Sequence, residues 1–224
     1  NIIHYCLEEL YKPFEGEFLK VSELKELLPK VENIVKKFFV KAYKNVDVSK
    51  GKNLIGFEIA KRYINNFLNL EIDYLVKGHK IMIHAVEKKV ETIIELPGLN
   101  FPIHLKGNVD RIDSFDGVNR IIDYKSSRVV QSDLNIVDLS GVVDDYKKHN
   151  KGFQLLMYAY ILNKMDLFRL PFEAGILSFK NFKEGILKLK LKDESGRKSI
   201  GQSQINDKII DDFQLQLTNL LTDI

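Results

Sequence analysis

GNVDRIDSFDGVNRIIDYKSS, residues Gly107–Ser127, decides how this chain is read. Two runs rich in β-branched residues flank Asp116-Gly117, a dipeptide that favours a two-residue hairpin turn. Such a turn sets Asp110 directly opposite Asp123, with Cβ atoms about 4.5–5.5 Å apart, where like charges repel. A cation between them relieves the repulsion. Successive strand side chains alternate between faces, so Lys125 returns to the face of Asp123. Asp113 falls opposite Arg120 on the other face and reads as a structural pair. Ile121 and Ile122 place Asp123 in an apolar strand, where an unpaired charge is costly. Two alternatives stand beside this one. Surface strands also carry charges on their solvent face, and a three-residue loop would shift the register.

The chain around this hairpin changes character twice. Helical spacing is expected over Ile2–Tyr11, ending before Pro13, then over Val21–Leu28 and Val31–Tyr43 on either side of Pro29. Leu54–Leu70 gives a further helix with Ile55, Ile59, Tyr63, Phe67 and Leu70 on one face. Beyond Gly78, Met82–Leu96, Ile103–Phe115 and Val118–Tyr124 read as three antiparallel strands. Phe153–Asn163 returns to helical spacing, Glu173–Phe179 and Gly185–Leu191 to strands. Ile205–Leu221 closes as an amphipathic helix with Ile209, Phe213, Leu217 and Leu220 inward. Asp193–Gln204, rich in Ser, Gly and Lys, is expected to be a long mobile loop. The whole chain, 1–224, reads as one α/β domain: 1–78 mostly helical, 79–224 a sheet with flanking helices.

Composition narrows the function classes. With 45% hydrophobic and 29% charged residues, 5 Pro and 13 Gly in 224 positions, the chain can bury a core and is neither disordered nor collagen-like. No apolar run reaches the ~18 residues a bilayer span needs, so a soluble protein is expected. The single cysteine, Cys6, forms no disulfide within this chain and favours a reducing, cytoplasmic setting. The balance of 34 basic against 31 acidic residues leaves +3, far from a purely electrostatic nucleic-acid binder. Between Tyr146 and Lys198 lysines and arginines predominate, as a basic face or an ordinary solvated surface. No Gly-rich phosphate loop occurs, which removes support for a nucleotide-binding module. The chain opens at Asn1 without a signal-peptide pattern and reads as an excised fragment.

Asp110, followed thirteen positions later by Asp123-Tyr124-Lys125, resembles the PD-(D/E)xK nuclease superfamily. The words GNVDRID, IIDYKSS and QLLMYAY resemble its RecB and AddB branch of helicase-associated nucleases. His4, within IIHYCLEEL, resembles that branch's first motif. Gln154 and Tyr158 resemble its downstream motif. Without the resemblance, Tyr158 reads as core and His4 as a helix-surface histidine. Residues Val129–Lys151 match no pattern of the branch.

The resemblance implies a restriction-endonuclease-like core: a central mixed sheet flanked by helices, preceded by a helical N-terminal third. It implies a metal-dependent DNA exonuclease domain, part of a helicase-nuclease acting in double-strand-break repair, with a helicase segment or subunit as partner and no membrane. Asp110, Asp123, the carbonyl of Tyr124 and His4 would hold Mg2+. The imidazole would let Mn2+ serve as readily. Lys125 would orient the attacking water and stabilise charge at phosphorus. Gln154 and Tyr158 would hold the substrate backbone or the lysine. Glu87, early in the first strand, resembles an acid seen there in the branch, whereas His79, His84, His104 and His149 read as structural. The AddB kind often carries an iron–sulfur cluster, and with Cys6 alone none is expected within this fragment. A catalytically inactive nuclease fold that binds DNA or scaffolds a repair complex is the competing implication.

Overall fold

The computed structural model describes residues 1–43, 47–95, 100–167, 169–191 and 201–222. The core of the expected loop, 193–200, lies outside the described residues, as does Leu96 at the end of the first expected strand. Two compact units make up the chain, Asn1–Glu87 with Asp113–Gly117, and Lys88–Ile112 with Val118–Ile224. No helix among the described residues is long and apolar enough to cross a membrane.

The described residues of the first unit form four α-helices. Helix α1, Ile2–Tyr11, starts where the Asn1 side chain accepts the Ile3 N–H at 3.2 Å, which satisfies one of the orphan donors of a first turn. It stops ahead of Pro13, which sits in a 3-10 turn, Lys12–Phe14. A second such turn, Leu28–Lys30 around Pro29, separates α2, Val21–Leu27, from α3, Val31–Ala42. Helix α4, Gly51–Val76, is longer at both ends than its apolar spacing suggests. It also buries a different face. Phe57, Ala60, Ile64, Phe67, Leu68 and Ile72 point into the core, whereas Ile55 and Ile59 are exposed and Tyr63 and Leu70 half-buried. Apolar residues occur nearly all round this helix, so spacing alone leaves its rotation open. Its neighbours settle it: Phe57 meets Phe39 of α3 edge-on at 5.8 Å, and Phe67 meets Tyr11 of α1. The Tyr11 hydroxyl donates to the buried carboxylate of Glu71.

Strand β1, Ile81–Ile94, begins in this unit and continues into the second. The turn residues Asp116 and Gly117 both have positive φ, 51° and 86°, as a type I′ hairpin turn requires. That turn joins β2, Ile103–Phe115, to β3, Val118–Lys125. Its tip is pinned at the end of α4. The Asp116 carboxylate accepts the Lys80 N–H at 2.8 Å and lies 2.8 Å from His79 Nδ1, while Phe115 packs against both Tyr74 and His79.

The second unit carries the sheet. Its strand order is β1-β2-β3-β5-β6, with β5 spanning Phe172–Ser178, β6 Ile186–Lys188, and β8, Gln204–Ile205, also paired to β5. Strands β3 and β5 run parallel, with Asp123 beside Ile176 and Lys125 beside Ser178; β6 and β8 run antiparallel to β5, which makes the sheet mixed. A parallel pair needs a crossover, supplied here by α6, Tyr146–Lys164, packed over β3 and β5. All seven residues of β5 are buried, as befits a strand covered on both faces. The expected strand Gly185–Leu191 divides, because Lys190–Leu191 leaves the main sheet as β7 and pairs with β4, Asn135–Ile136. Helix α5, Leu139–Asp144, occupies part of the stretch for which the sequence offered no pattern. Helix α7, Asp207–Thr222, buries Ile209, Ile210, Phe213 and Leu217, with Leu220 only half-buried.

Candidate active site

Strand alternation and one helical turn assemble a polar cluster inside the second unit. On β3, Asp123 and Lys125 project to the same face, and Lys125 Nζ lies 2.8 Å from Asp123 Oδ2. Helix α6 lays Gln154 across both. Its Nε2 donates to Asp123 Oδ1 at 3.1 Å, and its Oε1 accepts from Lys125 Nζ at 2.9 Å. Nε2 also donates to the Tyr158 hydroxyl at 2.8 Å, one turn further along the helix. A glutamine amide has two N–H donors and a carbonyl acceptor, so both donors and the acceptor oxygen are engaged here.

Asp110 enters the same region from β2. It is buried, and its Oδ2 accepts the backbone N–H of Tyr124 at 2.6 Å, which holds the carboxylate against β3 at the Asp123–Tyr124 peptide. Two buried acids thus meet the same short stretch of strand. Burying carboxylates is expensive unless donors or cations answer them. The Tyr124 amide, the Lys125 ammonium and the Gln154 amide do so here. The Tyr124 ring turns to the opposite face, against Phe179 at 5.9 Å, leaving its main chain on the side of the acids.

In the first unit, His4 of α1 is joined to Glu87: Nδ1 and Oε1 are 3.3 Å apart, with both side chains largely covered. Glu87 sits in the left-handed backbone region, φ 47°, inside a strand. Burial along β1 shifts parity here, from Ile81 and Ile83 to Val86 and Val90. A bulge of this kind re-aims a side chain, and strain in a strand residue is concentrated where function over-determines the backbone.

The sequence-based candidates Asp110, Asp123, Lys125, Gln154 and Tyr158 therefore come together, and Tyr124 contributes its backbone. His4 is paired with Glu87. His79 and His104 make carboxylate contacts elsewhere, with Asp116 and Glu91. Two features were not read from the sequence. One is the close approach of Tyr158 to β2, where a Cβ on Gly107 would come within 2.7 Å of the ring's Cε1. The other is an open cleft of about 640 Å³ beside Lys125, lined by Lys106, Lys151, Tyr146, Phe153, Gln154 and Tyr158 among others. Aromatics interleaved with lysines from Tyr146 to Phe153 were the available signal for it.

The family profile described as the PD-(D/E)XK nuclease superfamily matches residues 1–224, the entire chain. Comparison with curated proteins and with solved structures gives no match. The mixed sheet, its flanking helices and the helical N-terminal region form a restriction-endonuclease-like fold.

Proposed function

The chain belongs to the PD-(D/E)XK nuclease superfamily, and we propose that it is a metal-dependent DNA exonuclease domain of the RecB/AddB kind, working with a helicase segment or subunit in double-strand-break repair in the cytoplasm. The observation that carries the reading is the linked set Asp123, Lys125 and Gln154, closed around two buried acids on adjacent strands.

The donor set fits a hard divalent cation. Asp110, Asp123 and the carbonyl of Tyr124 are oxygen donors, which suit Mg2+, and His4 would add a nitrogen that Mn2+ tolerates well. When bound, such an ion supplies a water acidified for attack and positive charge against the phosphate oxygens. The remaining work falls to the protein. Lys125 places its ammonium where a phosphate oxygen gains charge and orients the attacking water. Gln154 fixes the lysine by its carbonyl and Asp123 by its amide, so that neither swings away before substrate arrives. Tyr158 anchors Gln154. Glu87 beside Nδ1 of His4 sets the ring's orientation, as a carboxylate partner does for a ligating imidazole.

Release of acid-soluble nucleotides from single- and double-stranded DNA tests the proposal. Cleavage with Mg2+ or Mn2+, abolished by Asp123→Ala and Lys125→Ala, is expected. A wild type that binds DNA but stays inert with both metals would replace the enzyme by a DNA-binding scaffold. Lys125→Ala cleaving at the wild-type rate would remove that residue from its role.

A further inference from the structure

We propose that the cleft beside Lys125 is a groove for one strand of nucleic acid, holding an unpaired base against Tyr146 and the adjoining phosphates against Lys106 and Lys151. It rests on the nuclease reading only in supposing that the strand continues to Lys125.

Charge is the first argument. Lys106, Lys125 and Lys151 line the cleft, and among the described residues none of its lining side chains is acidic. A chain with nearly balanced charge has gathered cations along one channel, which is the arrangement that tracks a phosphate backbone. Lys125 is engaged by Asp123 and Gln154, and Lys151 lies 3.5 Å from Asp133, whereas Lys106 is exposed on β2.

The aromatic side chains say which nucleic acid fits. Tyr146, at the start of α6, is 57% exposed although its ring packs edge-to-face with Phe153, the centroids 5.6 Å apart. Phe153 is in turn backed by the fully buried Phe213 at 5.7 Å. Phe153 is thus a fixed wall and Tyr146 a projecting plate. A base can use such a plate only when its own face is uncovered, and in a duplex both faces are covered by neighbours. A volume of about 640 Å³ is of the size that accommodates a nucleotide or two. Ser127 and Asn150, also in the lining, offer donors to sugar and phosphate oxygens.

Fluorescence anisotropy of the whole chain with labelled oligothymidylate, oligouridylate and a blunt duplex tests this in EDTA, which prevents metal-dependent turnover. The wild type should prefer the single strands. Tyr146→Ala should weaken that binding about tenfold and Tyr146→Phe should not, because stacking needs the ring alone. Lys151→Gln should lower the slope of log affinity against log salt by about 0.7, the loss of one phosphate contact. Thermal melts of both variants check that the fold is intact, Tyr146 being exposed and Lys151 half-buried. Equal binding of both oligonucleotides assigns the groove to either sugar, and weaker oligouridylate binding assigns it to DNA; each keeps the single-strand inference. Unchanged binding by Tyr146→Ala, or a duplex that competes as well as oligothymidylate, overturns it. Strand binding through these residues without cleavage in Mg2+ or Mn2+ would uphold the groove and sink the nuclease reading. Cleavage with KM unmoved by either variant would do the reverse.

Discussion

Lys125 Nζ stands 2.8 Å from Oδ2 of Asp123, two residues earlier on the same strand, and this ion pair occupies a carboxylate that the proposed mechanism gives to a metal. The ammonium and the incoming cation therefore compete for one oxygen. Lys125→Met, which keeps the stem and removes the charge, should bind Mg2+ or Mn2+ at least as tightly as wild type by calorimetry. Its cleavage rate should fall about a hundredfold or more, because charge at the phosphate is no longer answered. Weaker metal binding in this variant would mean that the lysine builds the metal site instead of serving beside it.

Asp123 itself has a second consequence. Considered only as a like charge facing Asp110, its removal should relieve repulsion and stabilise the metal-free fold. The structure surrounds it with the Lys125 ammonium and the Gln154 amide, and those donors lose their acceptor in Asp123→Ala. The expected outcome is thus destabilisation of about 1–3 kcal/mol in the absence of metal, read from urea unfolding. Asp123→Asn, which retains an acceptor for Gln154, should cost less while losing metal affinity equally. A metal-free Asp123→Ala more stable than wild type would show that repulsion outweighs the donors.

Cys6 lies wholly within the core of the first unit, and burial, with the charge of Glu9 adding, pushes its thiol up to about 12. The thiolate is the reactive form, so iodoacetamide at pH 8 should label the folded protein at least a hundredfold more slowly than the protein in urea. An unfolded thiol ionises near 9.0 and the folded one only near 12, so the contribution is complete below about pH 9 and is lost between these values as pH rises. Cys6→Ser should remove this alkaline loss, and rapid labelling of native protein would place the thiol outside the core.

Much of this arrangement was legible in the residues. Asp116-Gly117 demands two positive φ values, and that demand fixes β2 against β3 and hence the meeting of Asp110 with the Asp123–Tyr124 peptide. Strand alternation likewise placed Lys125 beside Asp123. The rotation of α4 was not legible, since Ile55 and Ile59 make as good a stripe as Phe57, Ala60 and Ile64 until α1 and α3 are packed against it. The departure of Lys190–Leu191 into a second small sheet depends on β4, a strand of two residues, too short to leave a pattern. Nor does periodicity report a bulge, so the left-handed Glu87 and its contact with His4 required the folded chain.

The contact between Gly107 and Tyr158 links the hairpin to the polar cluster, and it yields the sharpest test of how that cluster is held. Any side chain at Gly107 would drive a Cβ to 2.7 Å from Cε1 and 3.1 Å from Cδ1 of the ring. The ring must retreat, carrying the hydroxyl that Gln154 binds and loosening Gln154 over Asp123 and Lys125. Gly107→Ala should destabilise by about 1–3 kcal/mol, as overpacking does. Cleavage should fall about tenfold, since small misplacements at a reacting centre are costly. Combining it with Tyr158→Ala separates the two effects: removing the ring relieves the clash and should restore much of the melting temperature, but activity should stay low because Gln154 has lost its anchor. If the double variant recovered cleavage as well as stability, Tyr158 would be only packing, and the chain of support from β2 through Tyr158 and Gln154 to Lys125 would be broken.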